Sequence, residues 1–239
     1  MKELLKSLLS LFFVITLFLS VRWLLVEPYV IPSGSMIPTL LINDYITVNK
    51  LAFGVRWPFT QNWIVKFGPP QRGEVVVFKP VDMDISYIKR VVAIEGDTVV
   101  IEPNGQVTIN GKALPLTEVS EERARNYYRL SGDDLGISLN EIDISEERNF
   151  DKTTERRIIL RKNREREDFS TKVPKGHIFL MGDNRDNSHD SRYWGSLPVE
   201  QLIGRAGNVW LSCVKLSPES SGFCDPFTIR WSRSFLEIR

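Results

Sequence analysis

The chain has 239 residues, 42% of them hydrophobic, with 13 phenylalanines and a formal net charge of +1. That length suits one sizeable domain or two small ones, and so balanced a charge argues against a nucleic-acid binder, which carries a basic excess. Two cysteines and two histidines are too few for a Cys/His-rich zinc module.

Residues 1–6 carry Lys2 and Lys6 and read as a cytoplasmic N-terminus. Residues 7–26, "SLLSLFFVITLFLSVRWLLV", hold a single charge, Arg22. Twenty residues at 1.5 Å each make about 30 Å of helix, one hydrocarbon core, with Arg22 and Trp23 suited to the far interface. This predicts one transmembrane anchor with the remainder of the chain outside. A cleaved secretory signal is the competing reading, but bulky residues around Ser20 leave no small-x-small cleavage site. "IPSGSMIPTL" (31–40) follows at once. Ser35 stands nine residues past Val26, at most about 30 Å even if extended, so this loop works close to the bilayer surface.

Beyond it the pattern is mostly β. Strands are predicted in 44–53, 73–80, 86–94, 97–103 and 106–114, separated by Pro69-Pro70, Glu95-Gly96-Asp97, Asn104-Gly105 and Asn110-Gly111. No βαβ rhythm appears, so the sheets should be antiparallel. Residues 53–67 carry Phe53, Trp57, Phe59, Trp63 and Phe67, either a hairpin packing its aromatics inward or a surface dipping into the lipid interface. From 115 to 171 charge dominates; this reads as a smaller inserted, solvated subdomain in which "RRIILR" is a candidate strand. The first part of the core is therefore 27–114 and the second 172–239, where 177–181 and 206–212 read as strands. Cys213 and Cys224 could close a short disulfide loop or remain small buried thiols.

Several chemistries fail on spacing. His189 is flanked by Ser188 and Asp190, but neighbours on a strand point to opposite faces, so no Ser/His/Asp triad follows, and both histidines read as structural. "DNRDNSHD" (183–190) lacks the glycine and oxygen ligand of a calcium loop. No G-x-S-x-G or phosphate loop is present. Serine with lysine remains. In "DISYIKRVV", Tyr87, Lys89 and Val91 share one strand face and Ile88, Arg90 and Val92 the other. From spacing alone Lys89 reads as an exposed edge residue. Were it buried, desolvation would lower its pKa and leave an amine able to deprotonate a serine. Gly34, Pro32 and Pro38 would let the Ser35 loop approach it, with backbone N–H groups and the Ser33 hydroxyl facing a developing oxyanion.

These residues resemble bacterial type I signal peptidase, the membrane-bound serine–lysine leader peptidase. Four blocks occur in that family's order: "PSGSMIPTL" (32–40), "RGEVVVFKP" (72–80), "YIKRVVAIEGD" (87–97) and "GDNRDNSHDSRYWG" (182–195). The resemblance implies Ser35 as nucleophile and Lys89 as general base, with an oxyanion hole from the Ser35 N–H and the Ser33 hydroxyl. Ser188 would hydrogen-bond and orient Lys89. Asp183, Asp190 and Arg192 would hold the local structure by ion pairing, and Met36 and Tyr87 would shape the site. It implies a coiled, mostly antiparallel β core with a smaller inserted subdomain, no metal or cofactor, and preprotein substrates with small residues at −1 and −3. The protein would be single-pass in the inner membrane, with its catalytic part on the periplasmic side. Two features depart from the pattern: one apolar segment where well-known Gram-negative members have two, and His189, which could tune the site's pH response. A β-rich binding protein without chemistry and a self-cleaving repressor-type protease are the rivals; the retained Ser35 and Lys89 oppose the first, the anchor and absent DNA-binding module the second.

Overall fold

A computed structural model of the chain describes residues 2–57, 62–80, 84–148, 155–217 and 223–238. The N-terminal apolar run forms helix α1, Lys2–Leu25. It starts five residues before the expected anchor and ends one before it, because Val26 already belongs to a strand. Leu11, Phe12, Phe13, Val14 and Ile15 are all exposed, so consecutive positions around the helix circumference face away from the protein. Among the described residues no helix is long and apolar enough to cross a membrane. The interfacial placement expected for Arg22 and Trp23 concerns side chains outside the described residues.

Next come β1 (Val26–Val30), β2 (Asp44–Asn49), β3 (Gly54–Arg56), β4 (Trp63–Lys66), β5 (Val75–Phe78) and β6 (Tyr87–Ile94). The chain continues through β7 (Thr98–Ile101), β8 (Val107–Ile109), β9 (Lys112–Ala113) and β10 (Leu116–Glu118) to helix α2 (Glu121–Leu135). Then follow β11 (Ile142–Arg148), β12 (Glu155–Arg161), β13 (Phe169–Lys172), β14 (His177–Met181), the single-turn helix α3 (Ser191–Trp194), β15 (Leu197–Pro198), β16 (Leu202–Ser212) and β17 (Leu236–Glu237). The main sheet runs β1-β2-β16-β5-β6-β14-β15, with β17 also on β16, and every pairing is antiparallel.

All four residues of β5 are buried. Val75 and Val77 face one core with Met36, Ile46, Val48 and Ile88, and Val76 and Phe78 face another with Val91, Ile178 and Leu180. A sheet covered on both sides needs apolar residues at every position, which is why this run shows no alternation. The predicted strand over 106–114 is two strands: Asn110 (φ 52°) and Gly111 (φ 74°) turn β8 into β9, as an Asn-Gly pair between strands favours. The aromatic stretch divides between core and surface. Phe53 is buried and Trp63 half-buried, while Trp57 and Phe67 are exposed; Phe59 lies outside the described residues.

The charged region holds more order than its composition suggests. Within the stretch 120–128, whose charge reads as solvated surface, Ser120 is the N-cap and Glu121 begins α2. Ala124, Tyr127, Tyr128 and Leu135 fall on one helical face and pack on Ile142, Ile144 and Ile159 of a three-stranded sheet, β10-β11-β12. β13 pairs instead with β7 in a separate four-stranded sheet, β13-β7-β8-β9.

Candidate active site

Ser35 sits in a single 3-10 turn, Gly34–Met36, in the loop between β1 and β2. The loop is pinned from within: Met36, Ile37, Leu40 and Leu41 are at most 1% exposed, and Arg233, from the segment after β16, pairs with Asp44 where β2 begins. Lys89, opposite Val76 in the β5–β6 ladder, reaches this turn. Its Nζ donates to Ser35 Oγ at 2.7 Å and to the Ile88 carbonyl at 3.0 Å. Lys89 is 4% exposed, so it is not the edge residue that spacing alone favours: β5 and β14 flank β6 on both sides. Burial lowers its pKa from 10.5 to about 8, while the Asp190 and Asp183 carboxylates act in the opposite sense.

The loop 182–190 closes over the pair. A Cβ at Gly182 would lie 2.4 Å from both the Ser35 carbonyl oxygen and Ser188 Oγ, so only glycine fits there. Asn184 holds the Ser35 turn with two bonds, its N–H to the Ser35 carbonyl (3.1 Å) and its Nδ2 to the Gly34 carbonyl (3.1 Å). Asp190 accepts from the Gly182 N–H at 3.0 Å and pairs with Arg192 at 2.8 Å. Asp183 is not in that pair. It is clasped by Arg90, through Nε at 2.7 Å and Nη2 at 2.6 Å, with both side chains fully buried. Arg90 follows Lys89 in β6 and therefore points to the opposite face, where it also bonds the Gly73 carbonyl.

Ser188 is brought to the site but not to the expected bond. Its hydroxyl is buried and finds no hydrogen-bond partner among the described residues, Lys89 included. Ser33 is exposed and makes no capping bond to the turn. Met36 is buried beneath the loop, and Tyr87 stacks on Phe78 with ring centroids 5.9 Å apart. His189 is exposed and stacks on Tyr193 at 5.2 Å; the charges that act on Lys89 are Asp190 and Asp183. The aspartates of 183–190 are engaged by arginines, and among the described residues no group of three or more His, Cys, Asp or Glu is placed to hold a metal. Chemically, a serine hydroxyl bonded to a desolvated amine can pass its proton and become a nucleophile.

The model of the family described as signal peptidase, peptidase S26, matches residues 3–211. The chain belongs to this family. It is 40% identical over 215 residues to "Signal peptidase I" of Pseudomonas fluorescens, covering 85% of this chain and 71% of that protein. The Aquifex aeolicus "Signal peptidase I" is 33% identical over 253 residues, covering 90% of this chain and 88% of that one. A crystal structure of a signal peptidase I from Enterococcus faecalis aligns at 23% identity and a TM-score of 0.36, covering 59% of this chain and 98% of that chain. In this S26 peptidase the site also contains Arg90, Gly182 and Asn184, to which local sequence pattern gives no role. Arg90 carried a visible signal, a charge in an apolar strand beside Lys89. Asn184 carried none, since its contribution lies in backbone proximity that no local pattern encodes.

Proposed function

We propose that this peptidase removes signal peptides from exported preproteins at the membrane surface by a Ser35–Lys89 dyad. The observation that supports the reading is the 2.7 Å contact between Lys89 Nζ and Ser35 Oγ, with the lysine buried and its pKa lowered to about 8. Neutral Lys89 takes the Ser35 proton as the oxygen attacks the scissile carbonyl. The Ser35 N–H and the Ser33 hydroxyl receive the negative charge on the carbonyl oxygen. Lys89 then protonates the leaving amine, giving an acyl-enzyme. A water that loses its proton to Lys89 releases the acyl group and restores Ser35.

Ser188, whose hydroxyl is unpaired in the free protein, takes up a bond to the Lys89 amine in the working complex. Substrates carry small residues at −1 and −3. Residues 27–114 and 172–239 form the catalytic body and 115–171 an insert. Helix α1, whose residues Leu11, Phe12, Phe13, Val14 and Ile15 are all apolar and exposed, serves as a single-pass anchor in the inner membrane, with the body on the periplasmic side. The Cys213–Cys224 disulfide favours that side, where an oxidising environment preserves it.

The test is cleavage of a purified preprotein by the detergent-solubilised protein. Ser35→Ala and Lys89→Ala should fold, by circular dichroism and thermal melting, and leave the preprotein uncut. Cleavage by either variant at the parental rate would end the assignment.

A further inference from the structure

The insert is tied to the catalytic loop more densely than an appendage requires. On one side, Ile37 and Leu41 of the Ser35 loop pack with Leu135, Ile142, Ile144 and Ile159 of the insert in one buried cluster. On the other, β12 lies alongside the loop 182–190. The Ile159 N–H donates to the Asp183 carbonyl at 2.9 Å, and Ile159 bridges Asn184 in parallel. Asp186 accepts from the Arg161 N–H at 2.7 Å and from Arg166 Nε at 2.9 Å. The strongest tie is buried. Glu147 of β11 receives both arms of Arg185, Nη1 at 3.0 Å and Nη2 at 2.7 Å, and also Arg156 Nε of β12 at 2.7 Å. All three side chains are at most 2% exposed.

Arg185 is the residue after Asn184, whose N–H and Nδ2 hold the Ser35 turn. We propose that Glu147 is a positioning residue for the reaction: by fixing the Arg185 fork it sets the Asn184 backbone, and through it the placement of Ser35 against Lys89. The inference rests on the Ser35–Lys89 reading above. A bidentate guanidinium–carboxylate pair constrains angle as well as distance, which one contact to a lysine does not. The same loop carries Gly182, Ser188 and Asp190 over Lys89. Loosening it would therefore admit water to the amine and weaken the desolvation that depresses its pKa, with Asp190 and Asp183 the charges facing it.

The decisive variants are Arg185→Lys, which keeps the charge and loses the fork, and the triple Glu147→Met/Arg156→Met/Arg185→Met. The triple variant leaves no buried charge of the cluster unpaired, a kind of replacement that is often neutral for stability. Both are to be assayed for kcat, KM and the pH dependence of kcat on a preprotein, with melting temperature as the folding control. In each folded variant kcat should fall about tenfold to a hundredfold, as small misplacements of reacting groups do, with KM within about twofold of the parent. The midpoint of the pH–kcat curve should move above the parent's. Glu121→Gln, on the exposed face of α2, should leave all three unchanged. If a folded variant keeps parental kcat and midpoint while Ser35→Ala is inactive, the positioning role is wrong and the dyad stands. If Ser35→Ala still cleaves, the dyad itself fails.

Discussion

Lys89 must be uncharged to act as a base, and the protein bears a cost for making it so. Its folded pKa of about 8 lies below the unfolded 10.5, so between those values the unfolded chain binds the extra proton and stability rises with pH. The penalty is complete below pH 8, where it amounts to about 3 kcal/mol, and has vanished by pH 10.5. Replacing Lys89 with Met should therefore abolish cleavage yet raise the urea-unfolding free energy at pH 7, with the gain shrinking as pH rises through that window. A variant no more stable than the parent at pH 7 would mean that the amine is not desolvated. In the parent, kcat/KM, which reports the free enzyme, should climb with pH to a plateau, with its midpoint at about 8. Gly182 gives a second prediction at this scale. A methyl group there meets the Ser35 carbonyl oxygen at 2.4 Å, a backbone atom that cannot swing aside as a flexible side chain would. Gly182→Ala should cost about 1–3 kcal/mol and, by displacing Ser35, about a hundredfold in kcat, read from a melting curve and a cleavage assay.

Elements were legible in the sequence to the degree that their signal was local. The Asn110-Gly111 turn, the apolar run of β5 and the face alternation of β6 each declare themselves within a few residues, and the structure has them. Helix α2 is hidden in the sequence although its signal is present, because Ala124, Tyr127, Tyr128 and Leu135 are spaced helically among charges that dominate the composition. What no element's own sequence states is which partner it meets. That β12 would lie beside Asn184, or that Arg90 would cross to Asp183, depends on residues far apart in the chain. The disulfide is of this kind too. Cys213 and Cys224 are joined across a separation of 11 residues, after the last long strand, where Leu216 bridges Cys224 and Arg230 bonds the Cys213 carbonyl. A loop that short contributes about 3 kcal/mol on the chain-entropy model. Replacing both cysteines with serine should lower the unfolding free energy by about that much while cleavage persists; an unchanged denaturation midpoint would show that this segment melts separately from the rest.

At the scale of the whole molecule, catalytic body and insert are joined by buried charge rather than by apolar surface alone, and this gives the protein a characteristic acid response. Burial opposes ionisation at Glu147, but Arg156 and Arg185 outweigh it and hold the carboxyl at about 2. Burial likewise opposes ionisation at Asp97 and Asp186, where Arg72 and Arg166 prevail and the pKa falls. For a carboxylate whose folded pKa is depressed, the stabilisation is present above the unfolded value and disappears as pH falls through the folded one. The window for Glu147 runs from 4.5 down to about 2 and is worth about 3 kcal/mol, undiminished by solvent because the group is fully buried. Unfolding free energy should thus vary little with these carboxylates above pH 5 and then decline steeply in acid. In the triple Met variant the Glu147 share of that decline is absent, so its acid limb should be shallower by about that amount while Asp97 and Asp186 still titrate. Urea titrations at half-unit steps from pH 6 to 2 measure the difference between the two limbs. Parallel limbs would mean that Glu147 titrates alike in folded and unfolded chains, and that the buried cluster does not join insert to body in solution.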